Sequence, residues 1–351
     1  MAAQSVPVTG AASSIDIDTM EIHTVEMHTG GEPVRIVTSG YPALAGATLL
    51  DKRREARERH DALRRLLMFE PRGHAEMYGA VLVEPDHPEA DLAVLFLHNE
   101  GYSTMCGHAV IALGRWAVDN GRVVAREPET PVAIQCPCGL VRTVVEVRDG
   151  RAGAVRFRSV PAFAFARQAM VETRDWGPLE LDIAYGGAFY AVLPAASIGL
   201  DLSPASVRAL TDAGEAITAA AAEQIALQHP DDPDLGFLYG TIFTDGADRF
   251  EEAPTRNLCV FAGRQVDRSP TGSGVTARVA LQWARGEIAL GQARRFESVT
   301  GAVFTGVVVE ETAAGRHRAV VVEVSGKAHY TGEARFTLEP DDPLGEGFLL
   351  R

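Results

Sequence analysis

Hydrophobic residues along the chain fall into two rhythms. Ten short segments alternate apolar with polar positions or run β-branched: 21–27, 34–38, 79–83, 92–97, 132–135, 141–147, 154–158, 189–193, 305–311 and 318–324. Patterning of this kind predicts strands. Turn dipeptides such as Asp149-Gly150 and Gly186-Gly187 punctuate them. Four longer segments, 51–68, 107–120, 204–227 and 273–285, place apolar residues at helical spacing. Strands outnumber helices and do not alternate regularly with them. The expectation is an α/β chain of the α+β kind, with two antiparallel or mixed sheets each packed on a few helices, rather than a doubly wound parallel sheet. Residues 1–20, rich in Ala, Ser and Thr, carry neither rhythm and read as a flexible tail.

The pattern also repeats itself. "MCGHAVIALGRW" (105–116) lies over "PTGSGVTARVAL" (270–281), sharing a glycine, a valine and an alanine in register. Upstream, "HTGGEPVRIV" (28–37) lies over "AYGGAFYAVL" (184–193), where a Gly-Gly pair enters an apolar strand in both. The offsets of 165 and 156 residues are similar, so two related halves are expected. The first spans 21–180 and is completed by 338–351; the second spans 181–337.

Each repeated turn puts a small nucleophilic residue and a glycine at the start of a predicted helix. A helix start carries backbone N–H groups without intrahelical partners and a partial positive charge. It binds carboxylates and draws a nearby cysteine toward its thiolate. If a pseudo-twofold relates the halves, the two helix starts face each other across a cleft. One carboxylate then takes N–H bonds from both, with Cys106 and Thr271 on opposite sides of its α-carbon. That arrangement suits removal of an α-proton from an amino acid, with the thiolate as general base. A buried structural thiol is the competing reading of Cys106.

Composition narrows the partners. A net charge of −14 argues against nucleic acid and against anionic membrane surfaces. No run of about 18 apolar residues suggests a membrane span, and the N-terminus lacks the basic-then-apolar order of a signal peptide. Four cysteines in 351 residues are too few for a disulfide scaffold, so a cytoplasmic location is expected. Cys136-Pro-Cys138 has no matching pair at zinc-ligand spacing, so no metal is expected. His23 and His28 read as residues of an ordinary strand edge, and "TGSGVTAR" lacks the Lys-Ser/Thr ending of a P-loop.

"MHTGGEP" (27–33), "EPRGHAEMYGA" (70–80), "NEGYSTMCGHAVIALGRW" (99–116), "DRSPTGSGVTARVA" (267–280) and "GKAHYTGEARF" (326–336) resemble the proline racemase family along nearly the whole chain. The resemblance implies a diaminopimelate epimerase-like fold: two pseudo-symmetric halves of mostly antiparallel sheet, each around a central helix, with the site between them and no cofactor. It implies a small imino acid as the substrate; a homodimer is the assembly expected. By the same resemblance Asp267 holds the substrate's ring ammonium, and His108 lies at the substrate. The N–H groups of Gly107, His108, Gly272 and Ser273 cradle the carboxylate. Tyr78 and Phe261 wall the ring, although an aromatic at strand spacing also serves as plain core. Helix-entry capping is the competing reading of Asp267. His74 matches a family motif without an assignable role.

Racemases and epimerases of the family carry cysteine at both helix starts, whereas this chain keeps Cys106 and has Thr271 at the second. A threonine hydroxyl is far too weak an acid to exchange protons as a thiol does. The Cys/Thr pairing resembles the family's trans-3-hydroxy-L-proline dehydratases. In trans-3-hydroxy-L-proline the hydroxyl and the α-hydrogen share one ring face, so a single base suffices for elimination to Δ1-pyrroline-2-carboxylate. Two alternatives stand beside it. One is a proline or 4-hydroxyproline epimerase using water opposite Cys106; the other is a non-catalytic imino-acid binder.

Overall fold

The structure, a computed structural model, describes residues 20–350. Apart from Met20, the tail expected over 1–20 lies outside the described residues. The chain opens with β1 (Met20–Thr29) and β2 (Glu32–Ser39), crosses through α1 (Leu49–Arg59) and α2 (Asp61–Met68) to β3 (Tyr78–Val83), and continues through β4 (Leu92–His98) and β5 (Gly101–Ser103). Helix α3 (Gly107–Asp119) then leads to β6 (Glu129–Cys136), β7 (Gly139–Arg148) and β8 (Arg151–Arg158). After β9 (Phe163–Thr173) the plan recurs. β10 (Gly177–Tyr185) and β11 (Phe189–Pro194) cross through α4 (Val207–Gln224) to β12 (Leu238–Thr244), β13 (Thr255–Phe261) and β14 (Gln265–Asp267). Helix α5 (Gly272–Ala284) leads to β15 (Ala293–Glu297), β16 (Val303–Ala314) and β17 (His317–Gly326), and β18 (Ala328–Leu338) follows.

Strand pairing makes the duplication explicit. β2 pairs parallel with β3, β3 antiparallel with β4, β4 parallel with β6, and β6, β7 and β8 follow antiparallel. In the second half β11–β12, β12–β13, β13–β15, β15–β16 and β16–β17 repeat those senses in the same order. The two short sequence matches are thus the visible parts of a repeat that runs through the topology. β8 pairs antiparallel with β17 and joins the sets.

All ten strands and four helices anticipated from the pattern are present, with three adjustments. The segment 51–68 is two helices, because His60 leaves helical geometry at φ −128°. The break lets α2 bury Leu63, Leu66, Leu67 and Met68, whereas α1 is largely polar. Next, β9 pairs with β10 and β18 with β1, so hydrogen bonding assigns 163–173 to the second half and 328–338 to the first. Neither strand showed in the hydrophobic pattern, since each pairs with one neighbour and leaves much of its surface wet; in β18 only Ala328 is buried. Finally, His23 and His28 do not lie on a sheet edge: β1 is flanked by β2 and β18.

Helices α3 and α5 are the centres of the two halves. Each is apolar almost all round and correspondingly buried; α3 packs on β1, β7 and β8, and α5 on β9, β16 and β17. Their N-terminal ends meet. A Cβ on Gly107 would stand 2.4 Å from Cα of Gly272, and one on Gly272 would stand 2.6 Å from Cα of Gly107. Glycine is required at both places by this backbone approach rather than by an unusual dihedral angle.

Gly107→Ala is therefore expected to cost at least about 1–3 kcal/mol by overpacking, lowering the urea midpoint and disrupting the helix junction. Gly332→Ala, whose Cβ meets nothing within 4 Å, is the control and leaves the midpoint unchanged. Equal midpoints for the two variants would contradict the close approach.

Candidate active site

Cys106 and Thr271 are the N-cap residues of α3 and α5, and neither side chain caps its own helix. The first-turn residues Gly107, His108, Gly272 and Ser273 of the two helices line one cavity. Two partial positive charges add there, which suits a carboxylate.

All nine residues singled out from sequence line one cavity: Tyr78, Cys106, Gly107, His108, Phe261, Asp267, Thr271, Gly272 and Ser273. Its volume is about 20 Å³, room for roughly one water. A larger groove of about 650 Å³ over β6 and β7 contains none of these residues.

Met105, Tyr190 and Tyr239 also line the cavity and were not foreseen. Tyr190 lies within the repeated Gly-Gly strand, so a signal for it existed; Tyr239 carried none. The hydroxyl of Tyr190 bonds Ser273 Oγ at 2.8 Å, and the hydroxyls of Tyr78 and Ser103 form a very short bond. Tyr78 meets His108 edge-on at 4.9 Å between centroids, and Tyr239 stacks on Phe261 at 5.5 Å.

Cys106 Sγ lies 3.2 Å from His108 Nδ1, while His108 Nε2 lies 3.2 Å from the Pro33 carbonyl. A carbonyl only accepts, so Nε2 carries the hydrogen and Nδ1 is left to accept from the thiol. Burial pushes the Cys106 thiol well above its ordinary pKa; the Ala109 N–H and the Tyr78 hydroxyl pull the other way, and Asp267 and Glu32 push further up. Burial likewise lowers the His108 pKa, opposed by Asp267. The resting pair is thus neutral thiol and neutral imidazole. The expectation of a thiolate at the helix start is corrected here: desolvation outweighs the helix end, and a proton must move for the sulfur to act as a base.

On the opposite side Thr271 holds φ +65°, a genuine outlier for a β-branched residue that costs on the order of 1–3 kcal/mol. Its Oγ1 is buried without a hydrogen-bond partner. Asp267 ends β14, is 5% exposed, and accepts the Ser269 N–H at 2.7 Å.

His74 is exposed outside the cavity, its Nδ1 2.7 Å from the Ala75 carbonyl. Cys136 and Cys138 are free thiols at the β6–β7 turn. Among the described residues no three His, Cys, Asp or Glu side chains gather as metal ligands, and no helix is long and apolar enough to cross a membrane.

The profile of the proline racemase family matches residues 24–349. The chain is 58% identical over 332 residues to the trans-L-3-hydroxyproline dehydratase of Xenopus tropicalis, covering 94% of this chain and 95% of that one. It is 57% identical over 341 residues to the trans-3-hydroxy-L-proline dehydratase of Homo sapiens, covering 96% of each. A 3-hydroxyproline 2-epimerase of Burkholderia multivorans is 47% identical over 330 residues, 94% of this chain and 98% of that one. Among solved structures, a hydroxyproline epimerase from Agrobacterium vitis with bound trans-4-hydroxy-L-proline superposes with a TM-score of 0.89 at 29% identity, covering 94% of this chain and 95% of that one.

The raised Cys106 pKa has a spectroscopic consequence. The difference in ultraviolet thiolate absorbance between the protein and its Cys106→Ser variant is expected to stay flat through neutral pH and to rise only above the ordinary thiol value of 9.0. A step near pH 7 would show instead that the helix end prevails over burial.

Proposed function

The chain belongs to the proline racemase family, and we propose that it dehydrates trans-3-hydroxy-L-proline to Δ1-pyrroline-2-carboxylate with Cys106 as the single base. The observation that carries this reading is the unlike pair at the helix junction: one thiol, Cys106, opposed by a hydroxyl, Thr271, in the same cavity. The dehydratase relatives from Xenopus and human support the same assignment.

In this reading the substrate carboxylate takes the N–H groups of Gly107, His108, Gly272 and Ser273, and Asp267 receives the ring ammonium. Charge that develops on the carboxylate as the α-proton leaves is met by donors already in place. Cys106 gives its thiol proton to His108 Nδ1 and becomes the thiolate. The thiolate takes the α-proton, the electrons of that C–H bond form the C2–C3 double bond, and the C3–O bond breaks. The hydroxide departs on the face where Cys106 stands and takes the proton from the thiol, leaving as water. Moving the proton of the enamine nitrogen to C3 then yields the cyclic imine. Tyr78, Tyr239 and Phe261 enclose the ring and exclude bulk water.

Thr271 cannot deliver a proton to the opposite face of the α-carbon. In this reading its Oγ1, beside the Cys259 thiol, hydrogen-bonds the substrate instead. A second reading, epimerisation at C2 with water opposite Cys106, is favoured by the similarity to the Burkholderia multivorans epimerase. The four free cysteines support a reducing, cytoplasmic setting. Assembly as a homodimer belongs to the same reading and is checked by light scattering.

The variants separate these roles. Cys106→Ser is expected to lose about 10²–10⁴ in kcat for pyrroline formation, the range of a general base. Thr271→Ala keeps elimination within roughly tenfold, the loss of about one hydrogen bond. Thr271→Cys gains inversion at the α-carbon, seen in deuterated water as labelled substrate of both configurations. Labelled substrate of both configurations from the unaltered protein, without pyrroline, would establish the epimerase reading in its place.

A further inference from the structure

Two motif glutamates take no part in the chemistry above, yet both reach from the first half into the second. Glu32 opens β2 and is fully buried. Its Oε2 accepts the backbone N–H of Arg268 at 2.7 Å and lies 3.4 Å from that residue's guanidinium. Glu76 precedes β3; its Oε1 accepts the backbone N–H of Val266 at 3.0 Å and its Oε2 meets the Arg268 guanidinium at 2.5 Å. Val266 and Arg268 are the residues on either side of Asp267. The peptide on each flank of that aspartate is therefore gripped by a carboxylate from the opposite half.

The clamp is built rather than incidental. Glu76 is held at φ +66°, and its own N–H is taken by Asn99 Oδ1 at 2.5 Å. Asp267 needs such support, because β14 is three residues long and pairs only with β13. The charges also lean one way. Glu32 and Glu76 share the Arg268 guanidinium; burial and then the neighbouring Asp267 push the Glu32 carboxyl well above the ordinary carboxylate range, and Glu32 Oε1 is buried with no partner. A cation arriving at Asp267 relieves that excess; a ligand without one does not. Both anchors belong to the first half, so the position of Asp267 depends on contacts made across the junction.

We propose that Glu32 and Glu76 are positioning residues that clamp Asp267 across the two halves and so favour ligands bearing a ring ammonium. The proposal rests on the reading of Asp267 as the acceptor of that ammonium.

Calorimetric binding to the full-length protein tests it with two ligands that have no hydroxyl to lose: L-proline, whose ring nitrogen is charged, and pyrrole-2-carboxylate, whose ring nitrogen is not. Glu32→Ala and Glu76→Ala are expected to weaken L-proline by about 10- to 100-fold, the range for hydrogen bonds involving charged groups. They change pyrrole-2-carboxylate by less than roughly threefold. Glu32→Gln and Glu76→Gln keep an acceptor for the backbone N–H and give an intermediate loss for L-proline, and they carry the test if an alanine variant does not fold. Equal losses for both ligands mean a merely structural role and overturn the proposal, as does no loss for either. Asp267→Asn separates the premise from the clamp. If it leaves L-proline binding intact, the ammonium reading of Asp267 fails; if it weakens L-proline while the glutamate variants do not, the clamp alone fails.

Discussion

Two helix starts pressed together, with no room for a Cβ between Gly107 and Gly272, set the terms for the rest of the molecule. That approach brings two sets of free N–H groups and two positive helix ends to one point. It also leaves the cap residues Cys106 and Thr271 on opposite sides of that point. Each half supplies one helix inside one sheet, and neither half alone encloses the cavity. The duplicated topology thus aims two like helix starts at a single cavity.

Burial is the counterweight. The enclosure that strengthens hydrogen bonds to a developing charge also raises the pKa of the sulfur that must act as a base. His108 answers this locally: its Nε2 is committed to Pro33, so its Nδ1 faces the thiol as an acceptor. The thiol and the imidazole rest neutral, 3.2 Å apart. The halves are also not equivalent. By strand register Ser103 occupies in β5 the place that Asp267 occupies in β14, opposite Phe96 and Cys259 respectively. In the lining of the cavity the second half contributes the carboxylate Asp267 and the first half the thiol Cys106.

Much of this was legible in the residues. Period-two and helical patterns located ten of the strands and all four helical segments, and all nine site residues singled out from sequence share one cavity. Position in three dimensions was not legible where chemistry and local pattern part company. β9 and β18 escaped because strands paired on one side carry little apolar periodicity, whereas β10, β12 and β13 escaped although they are largely buried. Tyr239 gave no local sign of lining the cavity. Glu32 and Glu76 stood in motifs noticed for their glycines and aromatic residues, and their partners lie some 190 or more positions away. The thiolate expectation failed for a related reason: a helix start can be read from sequence, but the depth at which it is buried cannot.

The central claim is that one thiol on one face of the ring performs the elimination. Initial rates with the two C3 isomers of 3-hydroxy-L-proline test it most directly. The trans isomer places hydroxyl and α-hydrogen on the same face and is expected to give pyrroline; the cis isomer places them on opposite faces and is expected to give none. Comparable pyrroline formation from both would require a second catalytic group opposite Cys106 and would contradict the account.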